Sequence, residues 1–131
     1  MKILIDENLS EYLAEGLNSI QYPLDNNIHI VSMAKTFGKG VKDDDWIPAW
    51  GKADGIFLTQ DLNISRTRSL CQLLIENKMG SFFLSVSNKT SYWERVRVII
   101  KHWPEIANLI CSKKKPYAYK VTNNKVEKMQ L

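Results

Sequence analysis

The residues of greatest chemical interest are acids whose spacing places them in three separate segments. Asp6 and Glu7 close the apolar run Lys2-Ile3-Leu4-Ile5, Asp61 stands two residues beyond the end of Ile56-Phe57-Leu58-Thr59, and Asp43-Asp44-Asp45 precede Trp46, Ile47 and Trp50. Short uninterrupted apolar runs ending in polar residues read as parallel strands buried on both faces. Ligands of open parallel sheets bind at the carboxyl ends of the strands. Asp6, Asp61 and one of Asp43 to Asp45 are therefore expected at one sheet edge. Carboxylates gathered there without bases repel one another, and a hard divalent cation relieves the repulsion. Oxygen ligands suit Mg²⁺ or Mn²⁺, either of which can activate water for in-line attack on a phosphodiester. Each acid alone has an ordinary reading: Asp6 as a turn cap, Asp43 to Asp45 as a helix start, Asp61 as a turn initiator before Asn63. Their joint placement argues for a site.

The elements that must position these acids alternate between strand and helix over the first 103 residues. Asn8, with Glu11 three positions on, predicts a capped helix whose face is Leu9, Leu13, Leu17 and Ile20. Gln21 to Asn27, with Pro23 and Asn26-Asn27, predicts a loop, followed by a strand over Ile28 to Met33. Phe37 to Lys42 predicts another loop. Acids at Asp43 to Asp45 favour the positive end of a helix dipole, with Pro48 tolerable only near the helix start. Ser65 to Lys78 predicts a basic helix, Ser81 to Val86 a fourth strand, and Ser91 to Trp103 an amphipathic helix facing inward through Trp93, Val96, Ile99, Ile100 and Trp103. Pro104 ends or bends that helix, with Ile106 to Cys111 as a further turn or helix. Tyr117 to Thr122 and Lys125 to Met129 predict weak strands around Asn123-Asn124. The expectation is an α/β fold, a three-layer sandwich with a mostly parallel central sheet flanked by helices. Its domain spans residues 1–112, and residues 113–131 form a basic extension of it.

A chain of 131 residues with 44% hydrophobic and 24% charged composition is globular, with room for one domain. The net charge of +4 conceals a division at residue 64: ten acids and five bases before it give −5, and four acids and 13 bases after it give +9. Such asymmetry bears on partners: a cation for the first half and a polyanion for the second. Cys71 and Cys111 are too few for a disulfide framework and read as core thiols. A charged amino-terminal segment and no apolar run of about 20 residues predict a cytoplasmic protein without a membrane span. His29 and His102 have no matching partner for general-base work, so catalysis would fall to the metal.

Four segments in order resemble the PIN-like domains, relatives of the PilT N-terminus nucleases. They are Ile3-Leu4-Ile5-Asp6-Glu7-Asn8-Leu9-Ser10, Asp43-Asp44-Asp45-Trp46-Ile47-Pro48, Gly55-Ile56-Phe57-Leu58-Thr59-Gln60-Asp61, and the stretch holding Phe82-Phe83-Leu84, Tyr92-Trp93-Glu94 and His102-Trp103-Pro104-Glu105-Ile106. The last resembles the small group related to VapC-type toxins, and the likeness covers about residues 1 to 110. The resemblance implies a metal-dependent endoribonuclease, the toxin of a toxin-antitoxin pair, with acids around Mg²⁺ or Mn²⁺. By it, Asp6 and Asp61 are metal ligands and catalytic residues, and Asp43 is the third. Asp44 takes that role if Ile47 rather than Trp46 is the matching apolar position. The family's further helix acid has no clear counterpart, for Glu11 and Glu15 do not match it and Glu7 would alternate away from Asp6. Arg66 and Arg68 are placed to touch a phosphate of RNA, the expected substrate. A protein antitoxin and a second copy of the chain are the other expected partners.

Two other readings stand beside this one. A PIN-like scaffold that binds RNA or protein without cleaving requires the same fold. A receiver-like domain would hold Mg²⁺ at Asp6-Glu7 and accept a phosphoryl group at Asp61, but it leaves Asp43 to Asp45 unexplained. Tyr92, Trp93 and Trp103 could stack on bases, although their helical spacing favours the core.

Overall fold

The computed structural model describes residues 1–24 and 27–131. The part of the expected loop that includes Asn26 lies outside them. Among the described residues, the strands β1 (Lys2–Ile5), β2 (His29–Ser32), β3 (Ile56–Thr59), β4 (Gly80–Leu84), β5 (Tyr117–Val121) and β6 (Val126–Lys128) make one sheet in the order β2-β1-β3-β4-β5-β6. The first five are parallel, and β6 adds an antiparallel edge.

Alternation along the strands builds two cores. Ile3, Ile5, Ile56, Leu58, Phe82 and Leu84 face α1 (Glu11–Gln21) and α6 (Tyr92–Ser112), which contribute Leu13, Leu17, Val98, Ile99 and Trp103. Leu4, Phe57 and Phe83 face the other way, onto Trp46, Ile47 and Trp50 of α3 (Asp43–Lys52) and Leu74 of α5 (Arg68–Glu76). Edge-on ring contacts tie this second core together, with centroids 5.1 Å apart for Trp46 and Phe57 and 5.9 Å for Phe57 and Phe83. The result is the expected α/β three-layer sandwich with a mostly parallel sheet.

Several local expectations are corrected. Glu7–Leu9 forms a 3₁₀ turn, and Ser10, not Asn8, caps α1, its hydroxyl accepting from the Tyr12 amide at 3.1 Å. Ile20 is 63% exposed while Gln21 is buried in its place. A short α2 (Met33–Phe37) follows β2 directly. Pro48 lies inside α3, which begins at Asp43. The expected basic helix is divided into α4 (Asn63–Arg66) and α5 by Thr67, whose extended backbone interrupts the helix. Helix α6 runs unbroken through Pro104. Its buried stripe is Val98, Ile99, His102, Trp103, Ile106 and Ile110, rotated from the expected one, so Trp93 is 76% exposed and Ile100 is exposed as well. Cys111 is exposed rather than core, and the half-buried Cys71 thiol donates to the Ser65 carbonyl at 3.1 Å. Residues 113–131 contribute β5 and β6 to the sheet itself.

Candidate functional site

β1 and β3 are parallel neighbours, but β2 lies outside β1 and β4 outside β3, so the order in which strands are added reverses between them. At such a switch point the connections leave the sheet toward opposite sides and open a crevice beyond the carboxyl ends. The register that pairs Ile5 with Leu58 carries Asp6 beside Thr59, both one residue further along parallel strands. The Thr59 hydroxyl donates to Asp6 Oδ2 at 2.7 Å and accepts the Asp61 amide at 3.0 Å. One small side chain thereby joins the two acids. The Asp61 carboxylate is held in turn, Oδ1 accepting from the Asn63 amide at 3.0 Å.

Asp6 is only 9% exposed. Its burial, foremost, raises its carboxyl above the usual range, and the nearby Asp61 charge adds to that; the hydrogen bonds from Thr59 and from the backbone of Asn8 and Glu7 oppose the rise without cancelling it. Asp6 is thus a carboxylate whose charge the fold leaves under-compensated. Among the described residues the ion pairs are Lys35 with Glu15, Arg97 with Glu94, and Lys125 with Glu127, all away from this crevice.

The amino end of α3 supplies the third acid. A cavity of about 570 Å³ is lined by Asp6, Glu7, Asp43, Asp44, Thr59 and Asp61, together with Lys42. Asp43 and Asp44 both reach this cavity, whereas Asp45 is exposed and does not line it. Asp43 is half-buried and its Oδ1 accepts from Trp46 Nε1 at 2.8 Å, so the indole that anchors α3 in the core also fixes the acid. Glu7 was expected to point elsewhere by strand alternation. It lies in the 3₁₀ turn, where alternation does not apply, and it lines the cavity with Oε2 accepting from the Gly40 amide at 3.3 Å. Glu11 does not line the cavity, and Glu15 is engaged by Lys35.

The donor chemistry suits a hard cation, since carboxylates line the cavity and none of them forms an ion pair among the described residues, although Lys42 lines it as well. Among the described residues, however, no three His, Cys, Asp or Glu side chains are gathered as closely as a metal cluster requires. The fit is to an ion that retains most of its waters and takes one or two carboxylates, the coordination Mg²⁺ favours. Asp6 and Asp61, joined through Thr59, are the pair placed to provide them.

The basic residues are distributed differently from the sequence expectation. Arg66 and Arg68 are exposed and do not line the acid cavity, although Thr67 and Ser69 between and after them do. Lys52, Lys78, Lys114 and Lys115, with Glu76, line a separate cavity of about 480 Å³ at the amino ends of β3, β4 and β5, the opposite end of the sheet from the acids. Arg95, which the sequence did not single out, lies beside Asp61 instead. The signal that could have found it is its place one turn into α6, directly after the loop from the carboxyl end of β4.

No described helix is long and apolar enough to cross a membrane. Among models of protein families, the one described as PIN like domain matches residues 1–86. No curated protein and no solved structure gives a significant match.

Proposed function

The chain belongs to the PIN-like domain family, a nuclease-type scaffold, and from this membership and its acid crevice we propose a metal-dependent endoribonuclease that hydrolyses RNA phosphodiester bonds. The observation that carries the reading is the buried Asp6 carboxyl, tied through Thr59 to Asp61 and in no ion pair among the described residues. Mg²⁺ or Mn²⁺ bound there would supply charge neutralisation at phosphorus and an acidified water. Asp6 and Asp61 are the ligands in this reading. Thr59 fixes the orientation of both, because its hydroxyl donates to one and accepts from the backbone of the other. Asp43, steadied by Trp46, together with Glu7 and Asp44, extends the negative wall and can take protons from water entering the cavity.

Labelled RNA incubated with and without Mg²⁺ or Mn²⁺, beside Asp6→Asn and Asp61→Asn, tests this. Metal-dependent cleavage lost in both variants is the expected result; metal-independent cleavage, or cleavage indifferent to both substitutions, overturns it. The engagement of Asp43 by Trp46 and the loose gathering of the acids favour one second reading, a scaffold that binds RNA without cutting it. Salt-sensitive RNA binding without cleavage would establish that one. The toxin role rests on the resemblance of the Phe82 to Ile106 stretch to the VapC-related group. On that role, induced expression of the wild-type chain arrests growth and that of Asp61→Asn does not.

A further inference from the structure

A second, smaller cavity of about 190 Å³ adjoins the acid crevice and is lined by Asn8, Gln60, Asp61, Leu84, Asn88 and Arg95, among others. Asn8 and Asp61 line both cavities, so they form the wall between the two. Arg95 enters from α6, one turn beyond its Ser91 cap, and the side chain is half-buried. Its Nε is closed off from solvent and has no hydrogen-bond partner among the described residues. Its Nη2 reaches only the Asn88 carbonyl, at 3.4 Å. No ion pair among the described residues includes it. Arg97, two residues on, is by contrast engaged by Glu94 through Nε and Nη2.

With Nε closed off and Nη2 in only a long contact to the Asn88 carbonyl, the outer donors of this half-buried guanidinium are left free to take an anion. The planar fork of an arginine matches two oxygens of a phosphate. We propose that Arg95 is the phosphate-binding residue of this protein, gripping a backbone phosphodiester of single-stranded RNA beside the acid crevice. This rests on the nuclease reading for the identity of the polymer. The Asp61 carboxylate on the shared wall repels a lone anion, so the phosphate binds best where that charge is neutralised. Gln60, whose Nε2 donates to the Asn8 carbonyl at 3.2 Å, keeps that wall in place.

The test uses Asp61→Asn as parent, which separates binding from cleavage. Fluorescence anisotropy with a labelled 12-nucleotide single-stranded RNA is followed over a salt series. Arg95→Gln in that parent is expected to bind about tenfold more weakly and to lower the slope of log affinity against log salt by about one. Arg95→Lys keeps the slope and recovers part of the affinity, while Lys113→Gln with Lys114→Gln changes affinity less than Arg95→Gln does. Equal affinity and slope for Arg95→Gln and its parent overturn the proposal. The Nη–H resonances of Arg95 decide the same question without substitution. A dinucleoside phosphate should shift them saturably and leave those of Arg97 in place, and an unmoved Arg95 signal overturns the assignment. Failure of wild-type protein to cleave RNA with Mg²⁺ would sink the nuclease reading and leave both of these readouts standing.

Discussion

The two ends of the parallel sheet have been built to opposite specifications. At the carboxyl end, Asp6, Asp43 and Asp61 line one cavity, and among the described residues no cation is paired to them. At the amino end lysines line a separate cavity, and two polar contacts hold strand starts together: the Lys115 ammonium donates to the Asp54 carbonyl, and the Lys2 amide donates to Asp54 Oδ2 at 3.0 Å. Backbone there is also closely approached. A Cβ on Gly80 would stand 2.6 Å from the Tyr117 ring and hydroxyl, and one on Gly51 would stand 2.9 Å from Asn77. Part of the charge division along the sequence becomes a division between ends of the sheet, with Lys78, Lys114 and Lys115 at the amino end, while Arg95 of the basic half stands at the carboxyl end beside Asp61. Gathered carboxylates mark one end, and lysines with closely approached backbone mark the other.

The largest effect that can break this contrast is on catalysis. Asp61→Asn should lower RNA cleavage by about a thousandfold or more, because it removes a charge on which water activation depends. Lys113→Gln with Lys114→Gln, at the other end, should leave kcat within about twofold, as exposed charges distant from the reacting atoms act mainly through encounter. Initial rates on labelled RNA at saturating Mg²⁺ decide it. If the lysine variant lost cleavage as severely as the acid variant, the two ends would not be functionally distinct.

Stability should show the reverse order. Gly80→Ala forces a methyl group into the Tyr117 ring, which is itself packed against Phe82 and Tyr119 with centroids 5.7 and 5.6 Å away. Overpacking of this kind costs about 1–3 kcal/mol, so Tm should fall by several degrees in a thermal melt. Unchanged Tm would mean that the amino end yields, and its packing would no longer distinguish it.

Much of this arrangement could be read in the residues. The apolar runs at Ile3, Ile56 and Phe82 announce buried parallel strands, and a parallel sheet places Asp6 and Asp61 at a common edge. The site details were less accessible because they depend on register and local geometry. The joining role of Thr59 follows only once Ile5 is paired with Leu58. Glu7 was set aside by an alternation that a 3₁₀ turn cancels. Arg66 and Arg68 looked close to Asp61 in sequence, yet the extended backbone at Thr67 leaves them exposed, while Arg95 arrives from a helix more than 30 residues away. Trp93 and Ile100 were read as core because they are apolar, although the buried stripe of α6 runs through His102 and Ile106 instead.

The subtlest expected effect joins the two ends most directly, because it asks whether the acid crevice weakens the fold it sits on. Burial and the Asp61 charge raise the Asp6 carboxyl above its ordinary 3.8. The folded chain therefore holds this proton more tightly than the unfolded chain does, and its stability declines as pH rises from about that value through the raised one. At neutral pH the full penalty is present. Asp6→Asn removes it, so the variant should melt higher than wild type at pH 7, and the difference should shrink away well below pH 3.8, where both states of the wild-type chain are protonated. Mn²⁺ should raise the Tm of wild-type protein at pH 7 by binding the native state alone, and should do so far less for Asp6→Asn. A lysine variant of the amino end, Lys114→Gln, should keep the full response to Mn²⁺. Were Asp6→Asn to melt lower than wild type at pH 7, its carboxylate would be a structural group like those of the amino end, and the functional contrast between the two ends would fail at its central residue.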